Sequence, residues 1–118
     1  MIRIVIVLGL LTCTLTVKTL TKVLVDEPDA FCLDGSKPAY YVNQGLKNKF
    51  ILSFEGGGWC GSHLGISQTL EDCYQRSKTY LGSSSGYSDT MTVPEGMLSD
   101  SPQNPFRDWT MIHMRYCD

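Results

Sequence analysis

The chain has 118 residues, 42% of them apolar and 19% charged, which describes one small globular unit rather than a disordered segment. Ten basic and twelve acidic side chains leave a net charge of −2, so a nucleic-acid-binding surface is not expected. No run of like charges marks a tail.

The chain opens with a single Arg3, an apolar stretch over residues 4–15 and a threonine-rich exit. That is the shape of a secretory leader over residues 1–20, and it is short of the about 20 apolar residues a membrane-spanning helix needs. The expectation is a secreted protein whose ordered part is residues 21–118, with no membrane association after the leader is removed. Cys13 then leaves with the leader, and Cys32, Cys60, Cys73 and Cys117 remain. An even number in an oxidising compartment reads as two disulfides, with three pairings open. A metal site is not expected: no C-x-x-C occurs, and His63 and His113 sit at no ligand spacing.

Asp34-Gly35-Ser36 predicts a turn and residues 39–42 a short strand, after a linker of mixed character. Asn43, Gln44 and Gly45, with Lys47 and Lys49, predict the next turn. Residues 50–54, Phe-Ile-Leu-Ser-Phe, form a nearly continuous apolar run, the pattern of a strand covered on both faces. Three glycines end it. A short helix follows from Thr69, with Glu71 and Asp72 in its first turn and Leu70, Cys73 and Tyr74 on one face. Residues 82–108 predict a long irregular excursion, and residues 109–116 a final strand. This order opens an α/β architecture without completing it.

Gly56, Gly58 and Gly61 spell G-x-G-x-x-G, but Trp59 and Cys60 stand where a dinucleotide-binding helix would begin. Gly82-Ser83-Ser84-Ser85-Gly86 satisfies G-x-S-x-G, yet it lacks the strand before and the helix after that a nucleophile elbow requires. An oxyanion-binding turn fits better. Glycines let successive peptide planes rotate until their N–H groups face a developing negative charge. An ordinary tight turn after a buried strand is the competing reading.

Cys32-Leu-Asp34-Gly35-Ser36-x-Pro38-Ala39, Phe54-Glu-Gly-Gly-Gly-Trp-Cys60 and the closing Arg115-Tyr116-Cys117-Asp118 resemble the amino-terminal part of the pectin acetylesterase/Notum family. Cys73, Arg76, residues 81–84, Asn104-Pro105-Phe106 and Trp109 match in register. The resemblance runs from about Cys32 to the end. It implies an α/β-hydrolase-like fold, incomplete in this chain, and a Ser-His-Asp esterase that uses no metal or cofactor. It implies that Gly57 and Gly58 supply oxyanion N–H donors and that Trp59 lies at the pocket edge. It points to Cys60 pairing with Cys73 and Cys32 with Cys117. The implied substrate is an acetylated extracellular polysaccharide; E-G-G-G-W-C is the pectin acetylesterase form of the turn rather than the Notum form. The family's nucleophile, aspartate and histidine lie downstream of Asp118, and Ser84, His63 and His113 match none of them. The chain alone is therefore expected to be inactive. A non-catalytic, disulfide-stabilised binding module and a fatty-acyl protein esterase of the Notum type are the alternatives.

Overall fold

The computed structural model describes residues 17–58, 60 and 70–118. Five strands and one helix follow in the order β1 (Lys18–Leu24), β2 (Ala39–Asn43), β3 (Leu46–Phe54), α1 (Leu70–Ser77), β4 (Thr90–Val93) and β5 (Trp109–Met114). The strands make one mixed sheet in the order β3-β5-β2-β1-β4. All neighbours are antiparallel except β3 and β5, which run parallel. Parallel strands need a crossover, and the connection from β3 to β5 contains α1.

Strand alternation assigns the faces. Ile51, Met111, Tyr41, Leu20 and Met91 stand on one side through the pairs Ile51↔Met111, Tyr41↔His113, Lys22↔Tyr41 and Leu20↔Met91. Leu20, Tyr41, Met111 and Leu98 are the buried core, with Ile51, Met91 and Val93 packed against them. Leu98 comes from the excursion after β4, and Asn104 shapes that segment. Its side-chain amide donates to the carbonyls of Met97 (2.9 Å) and Ser99 (2.8 Å), and its oxygen accepts the Phe106 N–H (3.0 Å). A segment rich in turn residues thus folds over the sheet by satisfying its own backbone.

No described residue covers the opposite face of β3. Phe50, Leu52 and Phe54 are 52%, 57% and 73% exposed, so β3 is covered on one side rather than on both as its apolar run suggests. Two further differences from the sequence expectation are strands. β1 occupies what reads as the leader exit and a linker, and it begins inside residues 1–20 with Leu20 wholly buried. The ordered sheet therefore includes residues ahead of 21; residues 1–16 lie outside the described ones. β4 lies within the segment expected to be irregular. β3 also starts at Leu46, and Lys47, Asn48 and Lys49 bulge out between the pairs Leu46↔Trp109 and Phe50↔Thr110. Lys49 then lies 5.5 Å over the Trp109 ring, a cation–π contact.

Two disulfides join Cys32 to Cys117 and Cys60 to Cys73. The first ties the loop after β1 to the chain end beyond β5, where the Leu33 N–H also donates to the Cys117 carbonyl (3.1 Å). The second ties the glycine turn to α1.

Candidate active site

β3 and β5 run parallel, so their carboxyl ends open at the same edge of the sheet, where open α/β sheets bind their ligands. The glycine turn leaves β3 there. Its first residue, Glu55, is held by the end of β5 and the two residues after it through three contacts. Its N–H donates to the Met114 carbonyl at 2.9 Å, one carboxylate oxygen meets the Arg115 guanidinium at 3.0 Å, and the other accepts the Tyr116 N–H at 3.0 Å. Both charged side chains are about four-fifths buried (20% and 18% exposed), and ion pairs removed from water need such additional hydrogen bonds. Arg115 also lies over the Tyr87 ring at 4.6 Å. The Tyr87 hydroxyl is within hydrogen-bond distance of the Tyr80 (2.8 Å) and Tyr116 (2.9 Å) carbonyls. Burial raises the Tyr87 pKa from 10.0, with Arg115 opposing, so the phenol stays a donor.

The next residues are glycine for two different reasons. A Cβ on Gly57 would fall 1.9 Å from Cδ1 of the Tyr116 ring, so the ring occupies the space of any side chain there. At Gly58 there is open space, but φ is +77°, the left-handed region that L side chains avoid. The Gly57 carbonyl accepts a hydrogen bond from Nη2 of Arg76 on α1. Among the described residues no acceptor takes the N–H of Gly57 or of Gly58. Two successive donors thus have no acceptor among the described residues, on a turn held to β5 through Glu55 and to α1 through Cys60. Trp59, the expected pocket edge, lies outside the described residues, as does Thr69, the expected helix cap.

The remaining polar groups serve the fold. Ser84 is buried and its hydroxyl donates to the Lys37 carbonyl (2.6 Å), with Ser36 Oγ at 3.1 Å. Asp34 accepts from the Ser36 hydroxyl (2.5 Å) and N–H (3.0 Å), and the hydroxyl foremost lowers its pKa to about 2. On the sheet, His113 Nδ1 lies 3.2 Å from Ser53 Oγ, a pair the sequence reading did not foresee. Burial lowers the His113 pKa, with Glu55 raising it and Arg115 lowering it further. Among the described residues no group of three or more His, Cys, Asp or Glu is placed to hold a metal ion. No helix among them is long and apolar enough to cross a membrane.

The contacts of Arg76, Tyr116 and Glu55 with the turn were not foreseen from the residues. One signal was available for Arg76: it falls three residues after Cys73, hence on the same helical face as the disulfide.

Comparison with known proteins shows the family and the fold. The pectinacetylesterase family model matches residues 14–118. Pectin acetylesterase 5 of Arabidopsis thaliana is 38% identical over 96 residues, and pectin acetylesterase 4 of the same plant is 40% identical over 96. Each match takes in 78% of this chain but only 21% and 22% of the relative, so the chain spans about a fifth of their length. Among solved structures, the Wnt deacylase Notum from Drosophila superposes with a TM-score of 0.69 at 26% identity, over 85% of this chain and 28% of that one. The sheet is thus part of an α/β-hydrolase-like fold. By its family match and its identity to these relatives, the chain belongs to the pectinacetylesterase family.

Proposed function

We propose that this chain supplies the oxyanion-binding turn of a secreted carboxylic ester hydrolase that removes acetyl groups from an extracellular polysaccharide. One observation carries the reading: Gly57 and Gly58 hold two adjacent N–H groups with no acceptor among the described residues, at the carboxyl ends of parallel strands and on a clamped turn. Attack on an ester carbonyl gathers negative charge on its oxygen, and preorganised donors stabilise that charge only as it forms. Each donor contributes about 3 kcal/mol to such a transition state. Trp59 would wall the acyl site. The leader would end ahead of Lys18, which leaves β1 intact.

In this reading the nucleophile and its acid and base come from outside these 118 residues. Ser84 is engaged with backbone in a turn, and Ser53 and His113 lie within paired strands. An oxyanion site stabilises charge but attacks nothing. The curated relatives favour an acetylated polysaccharide as substrate over a fatty-acylated protein, being the more nearly identical comparison.

The test is secretory expression of the chain, assayed with p-nitrophenyl acetate and acetylated pectin. Alone it should show no turnover; joined in frame to the part of Arabidopsis pectin acetylesterase 5 that follows the matched region, it should release acetate. Turnover by the chain alone, abolished by a serine-directed inhibitor, would return Ser53 or Ser84 to consideration and refute the reading.

A further inference from the structure

We propose that Arg76 is a positioning residue that fixes which way the Gly57–Gly58 peptide faces, and so aims the Gly58 N–H. The inference rests on the oxyanion reading of that turn.

A trans peptide carries its oxygen and its hydrogen on opposite sides, and no cis peptide occurs among the described residues. Arg76 takes the Gly57 oxygen from the side of α1. The Gly58 N–H of the same plane must then point away from α1. Nothing intrinsic to the chain enforces this. Between two glycines the plane can turn over, because neither residue has a Cβ to oppose a change in the sign of φ. A turned plane would present a carbonyl oxygen where an oxyanion should sit, converting a donor into a repelling acceptor.

Three contacts oppose that rotation. The guanidinium gives a charge-assisted hydrogen bond to the oxygen that would have to leave. The same bond polarises the peptide, which strengthens the Gly58 N–H as a donor. Cys73, one helical turn before Arg76, is bonded to Cys60, so α1 grips the turn at two points three residues apart. The Tyr116 ring fills the space beside Gly57, and Arg76 lies over that ring at 5.3 Å. A lysine at 76 would keep a charge on the carbonyl but lose the planar contact with the ring.

The experiment has two arms. In the full chain, labelled with ¹³C and ¹⁵N at glycine, Arg76→Ala should move the Gly57 carbonyl resonance upfield and broaden the Gly58 amide, while Gly35 and Gly96 stay in place. Arg76→Lys should give an intermediate carbonyl shift, and it stands in if the alanine variant does not fold. A Gly57 carbonyl unmoved by either folded variant would overturn the proposal. In the active esterase carrying this segment, Arg76→Ala should lower kcat about 100-fold, the scale of a misplaced reacting group. KM for p-nitrophenyl acetate should change less than about twofold. Added guanidinium ion should restore part of kcat. Loss of kcat that tracks loss of folded protein, without rescue, would make Arg76 merely structural and overturn the proposal. If the parent protein shows no turnover at all, the esterase reading fails and the resonance arm alone decides Arg76.

Discussion

Removing the two disulfides one at a time should separate stability from the geometry of the glycine turn. Residues 32 and 117 are 85 apart in sequence, and residues 60 and 73 are 13 apart. The entropy of closing such loops in the unfolded chain gives about 4.6 kcal/mol for the long bridge and about 2.9 kcal/mol for the short one, a difference of about 1.7 kcal/mol. Native contacts push the same way, since Cys32 and Cys117 are both buried and flanked by backbone hydrogen bonds, including Cys32 N–H to the Ser36 carbonyl at 2.8 Å. The pair Cys32→Ala/Cys117→Ala should therefore unfold in less urea than Cys60→Ala/Cys73→Ala. With a typical slope of about 1.5 kcal/mol per molar, the midpoints should lie about 1 M apart. Esterase activity should rank the other way. At a temperature where both remain folded, the active enzyme should lose more kcat without the 60–73 bridge, because that bridge anchors the turn to α1. Equal midpoints, or greater destabilisation from losing the short bridge, would refute the stability argument. Undiminished turnover without it would refute its role in the turn.

Gly57→Ala must displace the Tyr116 ring and should cost about 1–3 kcal/mol in a thermal or urea melt, a cost that Tyr116→Ala in the same chain should relieve. Gly58→Ala meets no neighbour, so its cost should be only the left-handed backbone, about 1–2 kcal/mol, with no relief from Tyr116→Ala. His113 faces Ser53 and Tyr41 across its two neighbouring strands, with Glu55 and Arg115 as the charges acting on it. Its folded pKa is below 6.5, so the unfolded chain takes the proton first; its contribution is complete above the unfolded value of 6.5 and is lost as the pH falls from there through the lower folded pKa. The melting temperature should drop between about pH 7 and pH 5, and His113→Gln should flatten that slope. Tyr87→Phe removes a donor shared between the Tyr80 and Tyr116 carbonyls and should cost about 1–2 kcal/mol by urea titration.

What the sequence revealed followed from local chemistry. The apolar run at 50–54, the strands at β2 and β5, the helix around Cys73 and the glycine turn each carry their pattern within a few neighbouring residues. β1 was hidden because Lys-Thr-Leu-Thr-Lys-Val-Leu follows directly on an apolar leader-like stretch, so its alternation read as a polar exit. β4 was hidden because four residues, Thr-Met-Thr-Val, stand between turn-rich segments, and only pairing with β1 makes them a strand. At the site, the backbone freedom of Gly58 was legible from the glycines themselves. The need for glycine at 57 was not, because it arises from Tyr116, 59 residues later. The clamp of Glu55 by Arg115 and Tyr116 is likewise a product of strand register.

The position of β3 in the sheet sets the direction in which the architecture can be extended. Among the described residues β3 pairs with β5 alone, so one side of its backbone offers a ladder of donors and acceptors to an incoming strand. β4 bounds the other side with four residues, too short a template to direct much pairing. A strand added parallel to β3 would bring its own carboxyl end beside Glu55 and the glycines. A residue at the turn after that strand would stand at the same edge of the sheet as Gly57 and Gly58. On the oxyanion reading proposed above, growth at this edge is the route by which a reacting group would come to lie near those N–H donors.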